Sequence, residues 1–400
     1  MMRSVLLQSV ATAVLLLGLV PALAATAPAT KKDDPFALTS TNAILIDTDS
    51  GAVLYEKAPD QLIDPGSLAK LMTAAVVFDQ LGIGNITLDQ EFTVSENAWR
   101  KGGAPSRGSK MFAAIHSKIK VRDLLKGAMI LSGNDACIVL AEAIGGNEEE
   151  FARLMNDRAR ELGLSKSNFT NSYGAPDPNM RVTVRELTKI AAHIVGTYPD
   201  YYPWYKEGEF TWSKIRQSNR NSLLSLGIGV DGLETGYAPD AGFSMVASAL
   251  QNGLRLVVVI AGAKTEKDRN DEAKKLLEWG FKGFEARFIF AEGQTVAEAK
   301  LFGGAKSSVS LVSKDAIRLL VPRGGNERLT AKVVYDGPVR APVSMGQPIG
   351  TLKVWRGDIL TIEVPLQAGE NVGVGSTTQR AVDAAAELMY KLFRAGAERL

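Results

Sequence analysis

The dipeptide Asn252-Gly253 constrains this chain strongly, because it stands between two apolar runs at 243–250 and 254–261. A tight turn with positive φ at both central positions favours Asn-Gly, and its twist matches that of the flanking strands, so the segment predicts an antiparallel hairpin. A second hairpin is expected near the start, where 42–47 and 52–57 flank Thr48-Asp49-Ser50-Gly51. Helical patterns lie between the two hairpins. One runs from about Gly66 to Leu81, a second over 121–162 with a break at Ser132-Gly133-Asn134, and a third over 181–195, with Thr183 and Glu186 as a capping box. A further helix is expected at about 268–279. Strands, then helices, then strands predict an α+β domain built on an antiparallel sheet.

From about Ala291 the pattern changes to short alternating segments at 308–312, 316–321, 329–335, 351–355 and 359–364, separated by Gly, Pro and Asp. Such spacing predicts a small all-β module. The chain therefore divides into a first domain at 37–288, a β-rich domain at 289–366, a Gly- and Ser-rich linker at 367–377, and a tail helix at 378–400. In the tail, Ala385, Leu388, Met389, Leu392 and Phe393 share one face, and Arg380, Asp383, Glu387, Lys391 and Arg394 the other.

The N-terminus reads as an export signal at 1–24. Arg3 precedes an apolar run at 10–20, and Ala22-Leu23-Ala24 makes an A-x-A cleavage site. The run is short for a bilayer span, which needs about 20 residues. Residues 25–36, rich in Ala, Thr, Pro and Lys, read as a disordered lead-in. The mature chain is then expected outside the cytoplasm. Its formal net charge of +2, with no basic run interleaved with aromatics, gives no support for nucleic-acid binding. The one cysteine, Cys137, excludes an intramolecular disulfide and reads as a buried, inert thiol. The two histidines, His116 and His193, lie far from any nucleophile motif. A serine nucleophile in this chain would need lysine as its base.

Pro65-Gly66-Ser67-Leu68-Ala69-Lys70-Leu71-Met72-Thr73 offers such a pair. Three residues apart on a helix, the Lys70 amine can approach the Ser67 hydroxyl. N–H groups at a helix start also suit a developing oxyanion. Taken alone the pair is weak, since a capping serine beside a solvated lysine reads the same way. Ser132 and Asn134 form a second polar cluster, able either to cap helix ends or to relay a proton and hold a substrate amide. The third is Asp231-Gly232-Leu233-Glu234-Thr235-Gly236-Tyr237, where Thr235-Gly236 would let backbone groups meet a ligand without side-chain interference.

S-x-x-K, S-x-N and a strand carrying x-T-G, in this order, resemble the signature of penicillin-recognising serine enzymes. The likeness extends to Ser132-Gly133-Asn134-Asp135-Ala136-Cys137, Ile215-Arg216-Gln217-Ser218-Asn219-Arg220-Asn221 and Ala263-Lys264-Thr265. The chain is similar to type-5 low-molecular-mass penicillin-binding proteins, the D-alanyl-D-alanine carboxypeptidases, over most of its mature length. The resemblance implies a serine β-lactamase/penicillin-binding transpeptidase-like fold, a β-rich domain, and a C-terminal helix lying on the inner membrane. It implies a periplasmic enzyme without metal or organic cofactor, acting on peptidoglycan pentapeptide stems and acylated by β-lactams. Catalytic roles fall on Ser67, Lys70 and Ser132, and substrate contacts on Asn134, Glu234, Thr235, Gly236 and Tyr237.

One position departs from the pattern. The family has lysine before Thr-Gly, helping to bind the substrate's terminal carboxylate, and this chain has Glu234. Like charges about 4 Å apart cost roughly 1 kcal/mol in water and about 4 kcal/mol at an effective dielectric of 20. Ala238 also stands where the family usually has threonine. Arg220 and Arg269 match arginines at the rim of the family site, and could take over the carboxylate or pair with Glu234. Two other readings stay open: a peptidoglycan-binding relative with reduced turnover, and an acyl hydrolase of altered specificity.

Overall fold

The computed structural model describes residues 34–239, 241–324, 329–356 and 359–385. The export signal, all of the lead-in before Asp34, and the tail helix beyond residue 385 lie outside them. The chain divides into two units, 1–38 and 39–400. In the first, the Asp34 carboxylate accepts from the backbone N–H groups of Phe36 (3.0 Å) and Leu38 (2.9 Å), closing a tight turn.

The second unit opens with β1 (Asn42–Asp47) and β2 (Val53–Lys57), the expected hairpin. A 3-10 turn at Gly66–Ala69 leads into α1 (Lys70–Gly82). There follow β3 (Glu91–Thr93), α2 (Glu96–Gly102), β4 (Lys118–Lys120), α3 (Val121–Leu131), α4 (Asn134–Gly145), α5 (Glu148–Glu161) and α6 (Val184–Thr197). The helical stretch at 121–162 is broken at Ser132, as expected, and a second time where Gly146 takes φ +80°. The capping box at α6 is only half made. Thr183 accepts from the Glu186 N–H, while the Glu186 carboxylate turns to Lys166 N–H and the Ser167 hydroxyl.

Strands β5 (Glu209–Trp212) and β6 (Ile215–Ser218) form a small ribbon, and then come β7 (Val230–Ala238), β8 (Gly242–Gln251) and β9 (Leu254–Ala263). The Asn-Gly hairpin is present, with φ +51° at Asn252 and +77° at Gly253 as its turn requires. The main sheet is antiparallel throughout, in the order β2-β1-β9-β8-β7. Both faces of β9 are covered. Val257, Val259 and Ala261 join the helical core, and Leu256 lies under α7 (Glu266–Gly283), which packs at Gly280 without room for a Cβ. Helix α1 is buried over 70–78, so it runs through the core rather than along a surface.

The β-rich module begins earlier than residue 289. Strand β10 (Phe284–Phe290) pairs with β13 (Ile317–Pro322) directly after α7, with no loop to mark the change. Strands β14 (Leu329–Tyr335), β16 (Pro348–Arg356), β17 (Ile359–Ala368), β12 (Ser308–Val312), β11 (Thr295–Phe302) and β15 (Val339–Arg340) lie in that order in a second sheet. Residues 367–377 are not a free linker. Ala368 belongs to β17, Val372 bridges Val343, and Val374 bridges Gly304. Residues 377–385 are helical, and the Asp383 carboxylate accepts from the Gly303 N–H.

Candidate active site

Gly66 sets the position of Ser67. Its φ of +49° is in the left-handed region, and a Cβ there would lie 2.7 Å from the Tyr237 carbonyl oxygen. The turn can therefore press against β7 only with glycine at this place. Gly236 makes the reverse approach, since a Cβ on it would come 2.5 Å from Ser244 Oγ and 3.1 Å from the Pro65 carbonyl. On the other side Gly174, at φ +83°, leaves no space between itself and the Gly66 carbonyl. Gly174 was not singled out by the sequence, because an isolated glycine in a loop carries no partner signal.

Ser67 thus sits on the 3-10 turn, and Lys70 follows as the first residue of α1. The Lys70 Nζ donates to Ser67 Oγ at 2.7 Å and to Ser132 Oγ at 2.9 Å. Ser132 ends α3 in the left-handed conformation, φ 54° and ψ 37°, and presents its hydroxyl to Lys70 rather than capping a helix. Lys70 is 3% exposed, and burial holds its amine below the usual lysine range. Cys137 beside it is a neutral thiol, pushed up to about 12 by burial. The acids opposing that burial effect are therefore Glu234 and Asp135.

Asn134 opens α4 and lies against the loop that precedes Met111. A Cβ on Gly108 would come 2.3 Å from its Nδ2, and its N–H donates to the Ser109 carbonyl at 2.8 Å. Asp135 pins the same loop, accepting from the N–H groups of Met111 (2.9 Å) and Ala113 (3.0 Å). This fully buried acid was passed over in the sequence, although it directly follows the S-x-N motif.

Glu234 projects from the edge strand β7 into the Lys70–Ser132 cluster and is 3% exposed. Burial pushes its carboxyl up to about 7, against the Lys70 charge, the Thr235 N–H at 2.9 Å, the Ser132 hydroxyl and the more remote Arg220 charge. Among the described residues it makes no ion-pair contact. Arg220 instead donates Nε to the Leu131 carbonyl at 3.2 Å, bracing the end of α3 just before Ser132. Arg269 is buried and held by Glu266 and Asn270 at 2.9 Å and 3.0 Å. Neither arginine pairs with Glu234, because each is already committed to its own neighbours. Thr235 and Gly236 continue β7 past the serine, and the exposed ring of Tyr237 packs at a tilt of 47° against Phe243, with centroids 4.8 Å apart. His116 is exposed. His193 bonds Tyr198, which donates to Asp79, roughly 14 Å along α1 from Lys70.

An antiparallel sheet beside a helical cluster, with Ser-Lys, Ser-x-Asn and Thr-Gly elements converging on one buried amine, defines a penicillin-recognising serine enzyme. Residues 27–265 match the family model described as D-alanyl-D-alanine carboxypeptidase, and 284–374 match the C-terminal domain of penicillin-binding protein 5. The chain is 39% identical to the D-alanyl-D-alanine carboxypeptidase DacC of Escherichia coli, over 85% of its own length and 86% of the relative's. It is 39% identical to the DacA enzyme of Haemophilus influenzae, over 79% and 81%. The structure resembles penicillin-binding protein 5 of Haemophilus influenzae with a TM-score of 0.77 and 37% identity, covering 84% of this chain and 98% of that one. Penicillin-binding protein D2 of Listeria monocytogenes, solved with cefotaxime bound, covers 61% of this chain and 98% of its own at 26% identity and a TM-score of 0.56. The chain belongs to the D-alanyl-D-alanine carboxypeptidase family, the S11 serine peptidases.

Proposed function

We propose that the protein is a serine D-Ala-D-Ala carboxypeptidase that trims peptidoglycan stem peptides through an acyl-enzyme on Ser67. The observation that carries the reading is the Lys70 amine, buried and bonded at once to Ser67 Oγ and Ser132 Oγ. A neutral Lys70 takes the Ser67 proton as Oγ attacks the carbonyl of the penultimate D-Ala. The oxyanion is received by the N–H groups of Ser67 and Tyr237, which the contact between Gly66 and Tyr237 brings close. Lys70 then returns the proton through Ser132 to the departing D-Ala nitrogen, and water releases the acyl group. Asn134 and the backbone of Thr235 and Gly236 hold the peptide. A β-lactam enters the same path and stays on Ser67.

The enzyme works in the periplasm after export by residues 1–24, with its catalytic domain ending at α7 and residues 378–400 resting on the inner membrane. No helix among the described residues is long and apolar enough to cross a membrane. The buried acid at Glu234 favours a second reading, in which recognition of the terminal carboxylate is weakened and the leaving group is not free D-Ala. Products from defined muropeptides separate the two.

Gel labelling with a fluorescent penicillin tests the nucleophile. Ser67→Ala should abolish labelling with the fold kept, since the Ser67 hydroxyl caps no helix N–H and is bonded to Lys70. Lys70→Ala should fall nearly as far, because members of a catalytic unit are strongly non-additive. Labelling that survives in Ser67→Ala would place the nucleophile elsewhere.

A further inference from the structure

The stretch Ile215-Arg216-Gln217-Ser218-Asn219-Arg220-Asn221 contributes no group to the reaction written above, yet its polar side chains reach three walls of the site. Gln217, half-buried near the end of β6, uses both ends of its carboxamide. Its Nε2 donates to the Lys110 carbonyl at 3.0 Å, and its Oε1 accepts from Arg220 Nη2 at 3.1 Å. The carboxamide cannot be turned round, because a carbonyl takes only a donor and a guanidinium only an acceptor.

Each arm leads to a different part of the site. Ser109, the neighbour of Lys110, accepts the Asn134 N–H at 2.8 Å, and Gly108 lies against the Asn134 side chain. Arg220 donates Nε to the Leu131 carbonyl at 3.2 Å and its own N–H to the Ile130 carbonyl at 3.3 Å, the last two residues of α3 before Ser132. The rest of the stretch is anchored independently. Asn219 Nδ2 donates to the carbonyls of Tyr205 (3.1 Å) and Glu207 (2.9 Å), and buried Asn221 donates Nδ2 to the Gly232 carbonyl of β7 at 3.0 Å.

We propose that Gln217 is a positioning residue for acyl transfer, one carboxamide that sets the Asn134 loop and the Ser132 end of α3 at a fixed separation. It acts on Asn134 through Lys110 and on Ser132 through Arg220. The inference rests on the roles given above to Ser67, Ser132 and Asn134. The two arms serve different steps. Loosening the Lys110 arm displaces the amide that holds the substrate, which weakens the first complex. Loosening the Arg220 arm displaces the hydroxyl that carries the proton, which slows the chemical step. A displacement of about 1 Å at such a site costs about 100-fold in rate.

The test is acylation by benzylpenicillin in Gln217→Met and Gln217→Glu, at penicillin concentrations that resolve the dissociation constant of the first complex from the acylation rate constant. Methionine keeps the length of the side chain and makes neither bond. Glutamate, ionised at about pH 7, keeps the acceptor for Arg220 and loses the donor for Lys110. Gln217→Met should bind more weakly and acylate more slowly, by about tenfold in each constant. Gln217→Glu should regain the wild-type rate constant while its dissociation constant stays raised, a split that a merely structural role would not produce. Wild-type constants in Gln217→Met overturn the proposal, as does a rate constant in Gln217→Glu no better than that of Gln217→Met. Should Gln217→Met fail to fold, Gln217→Glu decides by itself: weaker binding at a wild-type rate constant supports the proposal, and equal loss in both constants overturns it. Failure of the Ser67 reading shows separately, as labelling that persists in Ser67→Ala.

Discussion

Burial that raises the Glu234 carboxyl from 4.5 to about 7 also ties this residue to the pH dependence of folding. Between those values the folded protein keeps a proton that the unfolded chain has lost, so stability falls as pH rises through that window. The full difference is about 3 kcal/mol, present below the unfolded value and gone above the folded one. Lys70, displaced the other way, acts in the opposite sense at higher pH. Glutamine at 234 cannot ionise and removes the dependence. Urea unfolding of wild type and Glu234→Gln should therefore diverge from about pH 5 to about pH 7, with the variant gaining relative stability as pH rises. A difference that stays constant with pH would mean that Glu234 is not held protonated by the fold. Residues at this scale were legible in the sequence wherever a motif named them. Ser67, Lys70 and Ser132 are joined by hydrogen bonds as their motifs suggested. The partners of Arg220 and Arg269 were not legible, because a guanidinium's bonds depend on loops far apart in the chain.

Elements place these residues, and most elements carried a local signal. The Asn252-Gly253 turn and the hairpin before Ser67 are short-range features, as is the break at Ser132. The start of the β-rich module was hidden for a physical reason: β10 follows α7 at Phe284 without turn chemistry, and its pairing with β13 is long-range. The half-made capping box failed likewise, since Glu186 found tertiary donors in Lys166 and Ser167. Asp135 shows what one residue does for an element. It joins the start of α4 to the loop carrying Met111 and Ala113, and so fixes the turn between Ser132 and Asn134. Asp135→Ala removes the acceptor of three buried N–H groups, those of Met111, Ala113 and Ala136, at about 1–3 kcal/mol for each left unpaired. We expect a lower thermal midpoint and a loss of penicillin acylation larger than that from an exposed substitution such as Asp89→Ala. Unchanged stability in Asp135→Ala would show that the loop is held by other contacts.

At the scale of the whole molecule, the catalytic domain and the β-rich module are joined by the continuous run from α7 into β10 and by Arg318, which reaches Asp49 and the Gly253 carbonyl. The narrow apolar stripe expected over 378–400 suits weak attachment to a membrane surface. Truncation after Gly375 keeps the bridges at Val372 and Val374 and should release the protein from membrane fractions without altering penicillin acylation. An unchanged distribution after signal cleavage would reject the tether. The most direct measurement is release of D-alanine from a pentapeptide ending in D-Ala-D-Ala, compared between wild type and Ser67→Ala. Release by the wild type, with none above background from the variant, is the predicted result. No release by a wild type that still binds penicillin, or equal release by both, would contradict a carboxypeptidase acting through Ser67.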